Sequence, residues 1–369
     1  MKKLENCREL NKMVKFFNQI INGDCIDVLK TIPDNSIDLV FADPPYFMQT
    51  QGELLRADGD KFSGVDDSWD KFKDYKEYDA FCENWLKECK RVMKKDASIW
   101  VIGSFQNIYR IGYIMQNLDF WILNDVVWSK PNPVPNFKGT RFCNSHETLL
   151  WCSKSQKSKF TFNYKTMKYL NNDKQEKSVW NIGICIGQER IKDTNGKKAH
   201  STQKPEKLLE KIILSSSTMG DIVLDPFFGT GTTGAIAKKY GRNFIGIEKN
   251  SDYIKIANDR IKNINFVESD IASGKLETKP PKVSLDMLYQ ADMICLGEML
   301  YDKAGNNPVK YIGNDRVSDG SDELSIHKMS AKILNKVNHN GWSYFYIMRD
   351  GALFEIDKLR YLYKEKNAR

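Results

Sequence analysis

Two short apolar runs constrain this chain more than any other feature: Ile37 to Ala42 and Ile222 to Asp225, each leading into an Asp-Pro loop. Runs of this length bounded by turn formers read as strands buried on both faces. The first delivers Asp43-Pro44-Pro45-Tyr46. The second ends in Asp225 and delivers Pro226-Phe227-Phe228-Gly229-Thr230-Gly231-Thr232-Thr233-Gly234, followed by a helical stretch and a further strand, Phe244 to Glu248. Phe17 to Ile21 and Ser98 to Ile102 read as two more strands, with Phe120 to Trp128 and Glu147 to Cys152 as a late antiparallel pair. The strand expected to open the sheet, at Ile222, comes late in the chain. A circularly permuted, doubly wound α/β sheet explains this order, with 222–225 and 244–248 as its first strands and the parallel strands between Phe17 and Ile102 completing it. Ligands bind outside the carboxyl ends of such strands, so the two loops, distant in sequence, are expected to face each other.

Asp43-Pro44-Pro45-Tyr46 suits an uncommon task, that of holding a planar amine while a carbon is transferred to its nitrogen. An exocyclic base amine is a poor nucleophile because its lone pair is delocalised into the ring. The Asp43 carboxylate and the Pro44 carbonyl can both accept hydrogen bonds from that NH2 and let the nitrogen move toward sp3. Proline fixes φ, so Pro45 adds rigidity, and Tyr46 offers a ring on which a base can stack. Asp-Pro after a strand is also an ordinary turn, which is the competing reading. Gly229, Gly231 and Gly234 have the G-x-G-x-x-G spacing, which lets a backbone turn sharply and approach a nucleotide-like ligand. Phe227, Gly229 and Gly231 are expected to line that ligand, and Glu248, ending the next strand, suits ribose hydroxyls. The glycine pattern alone would also fit a nicotinamide dinucleotide, but a dehydrogenase has no use for Asp43 to Tyr46.

Together these motifs resemble those of the S-adenosylmethionine-dependent amino-methyltransferases of DNA, in the order of the β group. The chain is most similar to the cell-cycle-regulated, CcrM-like adenine methyltransferases of GANTC sites. The likeness is carried by Asn22-Gly23-Asp24-Cys25, Trp100 to Ser104, Asn124 to Trp128, Asn136-Phe137, His146-Glu147-Thr148 and Thr202-Gln203-Lys204-Pro205. It runs from about residue 18 to the carboxyl terminus, and Ser201 stands where the family has proline. The resemblance implies S-adenosylmethionine as cofactor, adenine N6 of double-stranded DNA as methyl acceptor, and Asp43, Pro44, Pro45 and Tyr46 as catalytic residues. It implies a cofactor site drawn from Asp24, Cys25, Asp43, Lys204, Asp225, Pro226, Phe227, Gly229, Gly231, Thr232 and Glu248. Asp24 and Cys25 would border the adenine ring and Lys204 would close the methionine side. Plainer readings stand beside these: Asp24 as a helix cap, Thr202 as an N-cap with Pro205 early in a helix, and Glu248 as a strand-end acid. No metal is required, because the cofactor carries its activation as a sulfonium.

The 369 residues exceed one ordinary core and suggest two folded units. The catalytic unit is expected at 1–272, a linker at 273–283 around Gly274, Pro280 and Pro281, and a small α+β domain at 284–369. In that domain Leu324 to Val337 reads as a basic helix, and Trp342 to Met348 with Ala352 to Ile356 as a hairpin about Asp350-Gly351. Within it, residues 325–349 carry basic residues and no acid, and Lys328 and Lys332 are candidate DNA contacts. A dimer contact fits the sequence almost equally well. The net charge of +8 concentrates in residues 129–204, where 15 Lys/Arg stand against 5 Asp/Glu among interleaved aromatics. Such a stretch suits phosphates and bases, or else is simply a solvated insertion. A base must leave the duplex to reach such a pocket, and Lys130, Asn132, Asn136, Phe137, Lys138 and Arg141 are the candidates to hold the DNA. Trp151 and Trp180 are expected in the core.

Residues 47–70 read as a polar, acidic loop over the site, and Phe72 to Val92 as an amphipathic helix with apolar residues every three or four positions. Neither an apolar signal segment nor a membrane-length run is present, and the eight scattered cysteines lack any C-x-x-C pair, so a cytoplasmic, nucleoid-associated protein with reduced thiols is expected. The four histidines show no ligand spacing. Rival readings are a cytosine-N4 enzyme, a protein-amide methyltransferase and a catalytically silent DNA-binding module. Homodimer formation and a cognate restriction endonuclease are left open by the sequence.

Overall fold

Alternate side chains along the central strands enter two different hydrophobic layers. Val40, Ala42, Ile99, Val101, Ile245 and Ile247 join one, while Leu39, Phe41, Trp100, Ile102 and Phe244 join the other. Strands apolar on both faces need cover on both sides. A computed structural model shows that arrangement and describes residues 16–48, 54–55, 61–62, 70–136, 139–191, 196, 202–274, 276, 281–349 and 351–367. The helices Cys25–Thr31, Tyr75–Val92 and Ile108–Asn117 cover the first face, and Glu206–Ser216, Thr232–Lys239 and Ser251–Lys262 the second.

In chain order the strands are β1 (Gln19–Asn22), β2 (Ile37–Ala42), the short pair β3 (Leu54–Leu55) and β4 (Lys61–Phe62), β5 (Met93–Gly103), β6 (Trp121–Ser129), β7 (His146–Ser153), β8 (Val179–Asn181), β9 (Ile222–Asp225) and β10 (Asn243–Glu248). The main sheet has the order β1-β10-β9-β2-β5-β7-β6-β8. From β1 to β5 all neighbours are parallel; β7 runs against both β5 and β6, and β8 pairs parallel to β6. Two strands far apart in sequence, β2 and β9, lie side by side, with Leu39 opposite Val223 and Val40 opposite Leu224. The chain leaves β9 toward β10 on one side and β2 toward β5 on the other. A crevice opens at this kind of switch point. The fold is the expected circularly permuted, Rossmann-like doubly wound sheet.

Local chemistry sets where the elements begin and end. Asp74 accepts a hydrogen bond from the Glu77 amide (2.9 Å), and the Glu77 carboxylate accepts one from the Lys73 amide (2.6 Å). This reciprocal cap starts the helix at Tyr75, so Phe72 lies before it and packs on Phe47 instead. Most of the expected 47–70 loop, including Asp58, Asp60, Asp66 and Asp67, lies outside the described residues.

Topology divides the basic stretch. Because β7 is antiparallel to β5, its start at His146 shares an end with Gly103 and the site, while Ser153 pairs with Ser98 at the opposite end. Residues following Ser153 therefore leave at the far end of the sheet: the Lys154 ammonium donates to Asn35 (2.9 Å), and the Lys159 amide donates to Asp96 (2.8 Å). Only the segments beyond Ser129 and Asn181 emerge at the site's end. Trp151 and Trp180 are core residues, and Trp151 stacks on Trp100 at 5.1 Å.

The chain divides into two compact units, Met1–Glu277 and Thr278–Arg369. The second holds an antiparallel sheet of β11 (Met299–Tyr301), β12 (Val309–Gly313), β13 (Arg316–Ser318), β14 (Glu323–Ser325), β15 (Tyr346–Arg349) and β16 (Ala352–Glu355), in the order β14-β13-β12-β11-β15-β16. Its core gathers Leu300, Tyr311, Trp342, Phe345 and Ile347. The basic helix spans Ile326–Ile333, shorter than expected, because Ser325 caps it and Leu324 belongs to β14. Strands β15 and β16 form the expected hairpin about Gly351, but residues 342–344 form a turn before it. Among the described residues no helix is long and apolar enough to cross a membrane, and no group of three or more potential ligands could hold a metal ion.

One glycine tests the packing of β10. A Cβ at Gly246 would lie 2.4–2.7 Å from three ring atoms of Phe228, which is itself buried against Phe244. Overpacking of this kind costs about 1–3 kcal/mol. Gly246→Ala should lower the urea midpoint accordingly at unchanged m-value, and an unaltered midpoint would contradict this packing.

Candidate active site

A cavity of about 1110 Å³ opens over the carboxyl ends of β2 and β9. Asp24, Cys25, Asp43, Pro44, Pro45, Tyr46, Lys204, Asp225, Pro226, Phe227, Gly229, Thr232 and Glu248 all line it. Gly231, expected to border the ligand, is not among the lining residues. A Cβ there would sit 2.8 Å from that of Ala257, so the bare Cα is needed for packing against Ser251–Lys262 and for a left-handed φ of 78°.

The Asp43–Tyr46 loop is held by residues that the sequence did not flag. Asp70, expected only as part of the acidic loop, is buried and accepts hydrogen bonds from the amides of Tyr46 (2.6 Å), Phe47 (2.7 Å) and Met48 (2.9 Å). Tyr78 donates its hydroxyl hydrogen to the Pro45 carbonyl (2.8 Å) and accepts one from Asn107 (3.0 Å). The Pro44 carbonyl accepts none from the described residues. One proline carbonyl is thus tied down and the other is open.

Four charged side chains meet behind this loop. The Lys204 ammonium donates to Asp43 Oδ2 at 2.7 Å and lies 4.0 Å from Glu147 Oε2. Lys130 reaches over the Trp128 ring and closes onto Glu147 Oε1. The Tyr46 hydroxyl is 3.0 Å from both Asp43 Oδ1 and Glu147 Oε2. Side-chain exposure is 18% for Asp43, 15% for Glu147, 14% for Lys130 and 7% for Lys204, so these charges interact with little screening. Burial pushes the Asp43 carboxyl up, with Lys204 opposing. Burial acts on Glu147 in the same sense, but the ammoniums of Lys204 and Lys130 outweigh it and hold that carboxyl below its usual range. Glu147 is therefore the firmer anion. Lys204, expected on the methionine side, has its ammonium on Asp43.

The remaining cofactor candidates hold the loops as well as line the cavity. Asp24 caps Cys25–Thr31 through the Ile26 amide (3.0 Å). Glu248 accepts from the amides of Gly229 and Asn250, both at 2.8 Å. Asp225 accepts from the Phe227 amide (2.9 Å) and the Thr233 hydroxyl (2.6 Å). Thr232 accepts from Arg260 at 2.8 Å. Phe227 packs edge-on to Trp85 at 5.3 Å.

Among the DNA candidates, Lys130 faces inward, because the Glu147 carboxylate on the neighbouring strand captures its ammonium. Asn132 accepts from the Ile184 amide (3.1 Å) and joins two loops. Asn136 donates to the Arg141 carbonyl (3.0 Å), and exposed Arg141 lies over the Phe105 ring at 5.6 Å; both line the cavity. Phe142, 97% exposed, stands beside them. Phe137 and Lys138 lie outside the described residues. In the second unit Lys328 is exposed, whereas Lys332 is taken by Asp319 and Asp322.

Asp225 permits a test of the site's electrostatics. Burial raises its pKa to about 7, with the Thr233 hydroxyl and Phe227 amide opposing. A raised carboxyl gives stability that is full below its unfolded value near 4 and is lost as pH climbs through about 7, at about 1.4 kcal/mol per unit. Between pH 5 and pH 8 the free protein should lose more unfolding free energy than Asp225→Asn, by chemical denaturation at both values. Parallel losses would show that Asp225 is not shifted.

Comparison with known proteins agrees with this geometry. The DNA methylase family (N6 and N4 methylases) matches residues 37–259. The chain is 65% identical over 348 residues to the type II methyltransferase M.HinfI of Haemophilus influenzae, covering 94% of this chain and 97% of that protein. It is 40% identical over 253 residues to the type II methyltransferase M2.DpnII of Streptococcus pneumoniae, covering 68% and 90%. The PvuII DNA methyltransferase (cytosine-N4-specific) shares the fold at a TM-score of 0.52 and 22% identity, over 71% of this chain and 93% of that one. The paired loops, their common cavity and these matches establish that the chain belongs to the N6/N4 DNA methylase family, whose methyl donor is S-adenosylmethionine.

Proposed function

We propose that the protein is a site-specific type II methyltransferase acting on adenine N6 in duplex DNA, within GANTC. The observation that carries this reading is the pairing of a buried carboxylate, Asp43, with the open Pro44 carbonyl on the floor of the cavity that also holds the Gly229 loop. An amino group has two hydrogens, and these are two acceptors for them. Asp43 polarises the amine and need not deprotonate it first, because the amine's proton is too weakly acidic for that. The cofactor supplies a methyl group already activated as a sulfonium. The cavity fits both ligands, since its volume exceeds the range of about 300–1,000 Å³ usual for one. Phe227, Gly229 and Glu248 would hold the cofactor, with Asp24 and Cys25 at its adenine end.

Tyr46 presents a ring to the extruded base, with the Lys204 ammonium 5.3 Å from the ring centre. Extrusion costs a few kcal/mol. Arg141, Phe142 and Asn136, which line the cavity, and Lys138, their neighbour in sequence, would offset it through phosphate and stacking contacts. Lys130 and Lys332, already committed to carboxylates, are not assigned to DNA. Lys328 is retained as a contact of the second unit. GANTC rests on the resemblance in the sequence motifs and on the high identity to M.HinfI over nearly the whole chain. A companion restriction endonuclease is proposed from the type II naming of both relatives.

Tritium transfer from labelled cofactor to GANTC duplexes, followed by nucleoside analysis, should yield N6-methyladenine; label in cytosine would overturn the base assignment. Asp43→Ala should abolish transfer while DNA affinity stays within a few-fold, and retained turnover would remove Asp43 from its role. Neutralising Arg141 and Lys138 should weaken binding and reduce the slope of log affinity against log salt by about 1 per lost phosphate contact. An unchanged slope would place those side chains away from the backbone.

A further inference from the structure

Each oxygen of Asp43 has a donor group beside it in the free site. Lys204 holds Oδ2 at 2.7 Å, and the Tyr46 hydroxyl lies 3.0 Å from Oδ1. A carboxylate oxygen has two lone pairs, so an amine hydrogen can still approach, but a phenol hydrogen already on Oδ1 draws on its charge and leaves it a weaker acceptor for that amine. A phenol has one hydrogen to donate, and the same Tyr46 oxygen lies 3.0 Å from Glu147 Oε2. We infer that Glu147 is a positioning residue for the methyl transfer: it takes the Tyr46 hydroxyl and thereby frees Asp43 Oδ1 for the target amine. This rests on the reading that Asp43 receives that amine.

Glu147 is built for the exchange. Its other oxygen is fixed by Lys130, which anchors the carboxylate on β7 without occupying Oε2. Rotation about the Tyr46 C–O bond redirects the hydrogen from one carboxylate to the other with no movement of heavy atoms. The firmer anion is also the one that waits, so a donor released by Asp43 finds a charged acceptor. Lys204, 4.0 Å from Glu147 Oε2, lies close enough to favour that negative charge. Glutamine at position 147 would reverse the device. Lys130 would claim its carbonyl oxygen, so its NH2 would face Tyr46, and the phenol would be left donating to Asp43 alone.

The experiment is a double-mutant cycle on the full-length protein with duplex GANTC oligonucleotide and S-adenosylmethionine. Glu147→Gln should lower kcat by about 10²-fold, the scale of losing one well-placed polar contact, with KM for DNA and cofactor within about threefold. Tyr46→Phe keeps the ring and removes the competing hydrogen, so it serves as the background, with its own kcat as reference, in which the loss from Glu147→Gln is measured again. In that background Glu147→Gln should cost less than about threefold, because nothing remains to be taken from Asp43. Equal losses in both backgrounds would make Glu147 merely structural and overturn the inference, as would an unaltered kcat in Glu147→Gln alone. If Glu147→Gln does not fold, Tyr46→Phe still decides: a loss beyond about 10²-fold with DNA affinity intact gives the hydroxyl a positive role and overturns the exchange. Failure of the unaltered enzyme to methylate adenine would instead refute the functional reading on which the inference rests.

Discussion

The pairing of β9 with β2 is the contact on which the site depends. Two pairs of residues set the register, and Asp38 secures it: its carboxylate accepts the Ile222 amide at the start of β9 (3.0 Å) and also receives the Lys94 ammonium (2.7 Å). An acid in an otherwise apolar strand would be costly unless satisfied, and here it is satisfied twice. The register brings Asp43, three residues beyond Val40, close to Asp225, one residue beyond Leu224. Every later feature of the cavity follows from this adjacency, because neither loop alone encloses a volume.

Once the loops meet, burial imposes its own condition. Removing a carboxylate from water costs several kcal/mol unless an opposite charge accompanies it. Asp43 and Glu147 are matched by Lys204 and Lys130, so the cluster is neutral overall and can stay buried before any ligand arrives. Its members are not equivalent. Glu147 lies in β7 and Lys130 one residue past the end of β6, where its amide still donates to the Ser145 carbonyl (2.7 Å). Asp43 and Lys204 sit on loops, where a change of partner is cheaper. A fixed pair thus supports an adjustable one. This division is consistent with chemistry in which Asp43 must exchange partners while the local charge stays constant.

The sequence revealed the elements whose signals are local. The strands at 37–42, 98–102, 222–225 and 244–248 are apolar runs, and Tyr78, Cys82, Trp85 and Cys89 mark the helix by their spacing. What it concealed depends on distance along the chain. Asp70 was one acid among several in a polar stretch, and its grip on three amides 22–24 residues away leaves no sequence signature. Lys130 looked like a phosphate contact because nothing nearby in sequence reveals the carboxylate 17 residues further on. Glu147 had one available signal, a lone acid at the head of an apolar strand within a motif shared with the resembled family. The basic run misled in another way: net charge is summed along the chain, while the two termini of β7 lie at opposite ends of the sheet's strands.

The two motifs differ in how much they say about chemistry, and the structure gives the reason. Of the three glycines in the G-x-G-x-x-G loop, only Gly229 lines the cavity. Gly231 is bare so that Ala257 can approach, and Gly234 so that Phe228 can, since a Cβ there would lie 2.5 Å from the ring. Two of its three glycines thus report the packing of a helix against its neighbours, a requirement of any doubly wound sheet whatever it binds. Asp43, Pro44, Pro45 and Tyr46 all line the cavity, and the Pro45 carbonyl is tied to Tyr78 while that of Pro44 stays open. A motif in which every residue lines the cavity is constrained by what the cavity holds, whereas glycines set by the approach of Ala257 and Phe228 are constrained by the fold. That is why the tetrapeptide carries the proposed reading and the glycine loop alone does not.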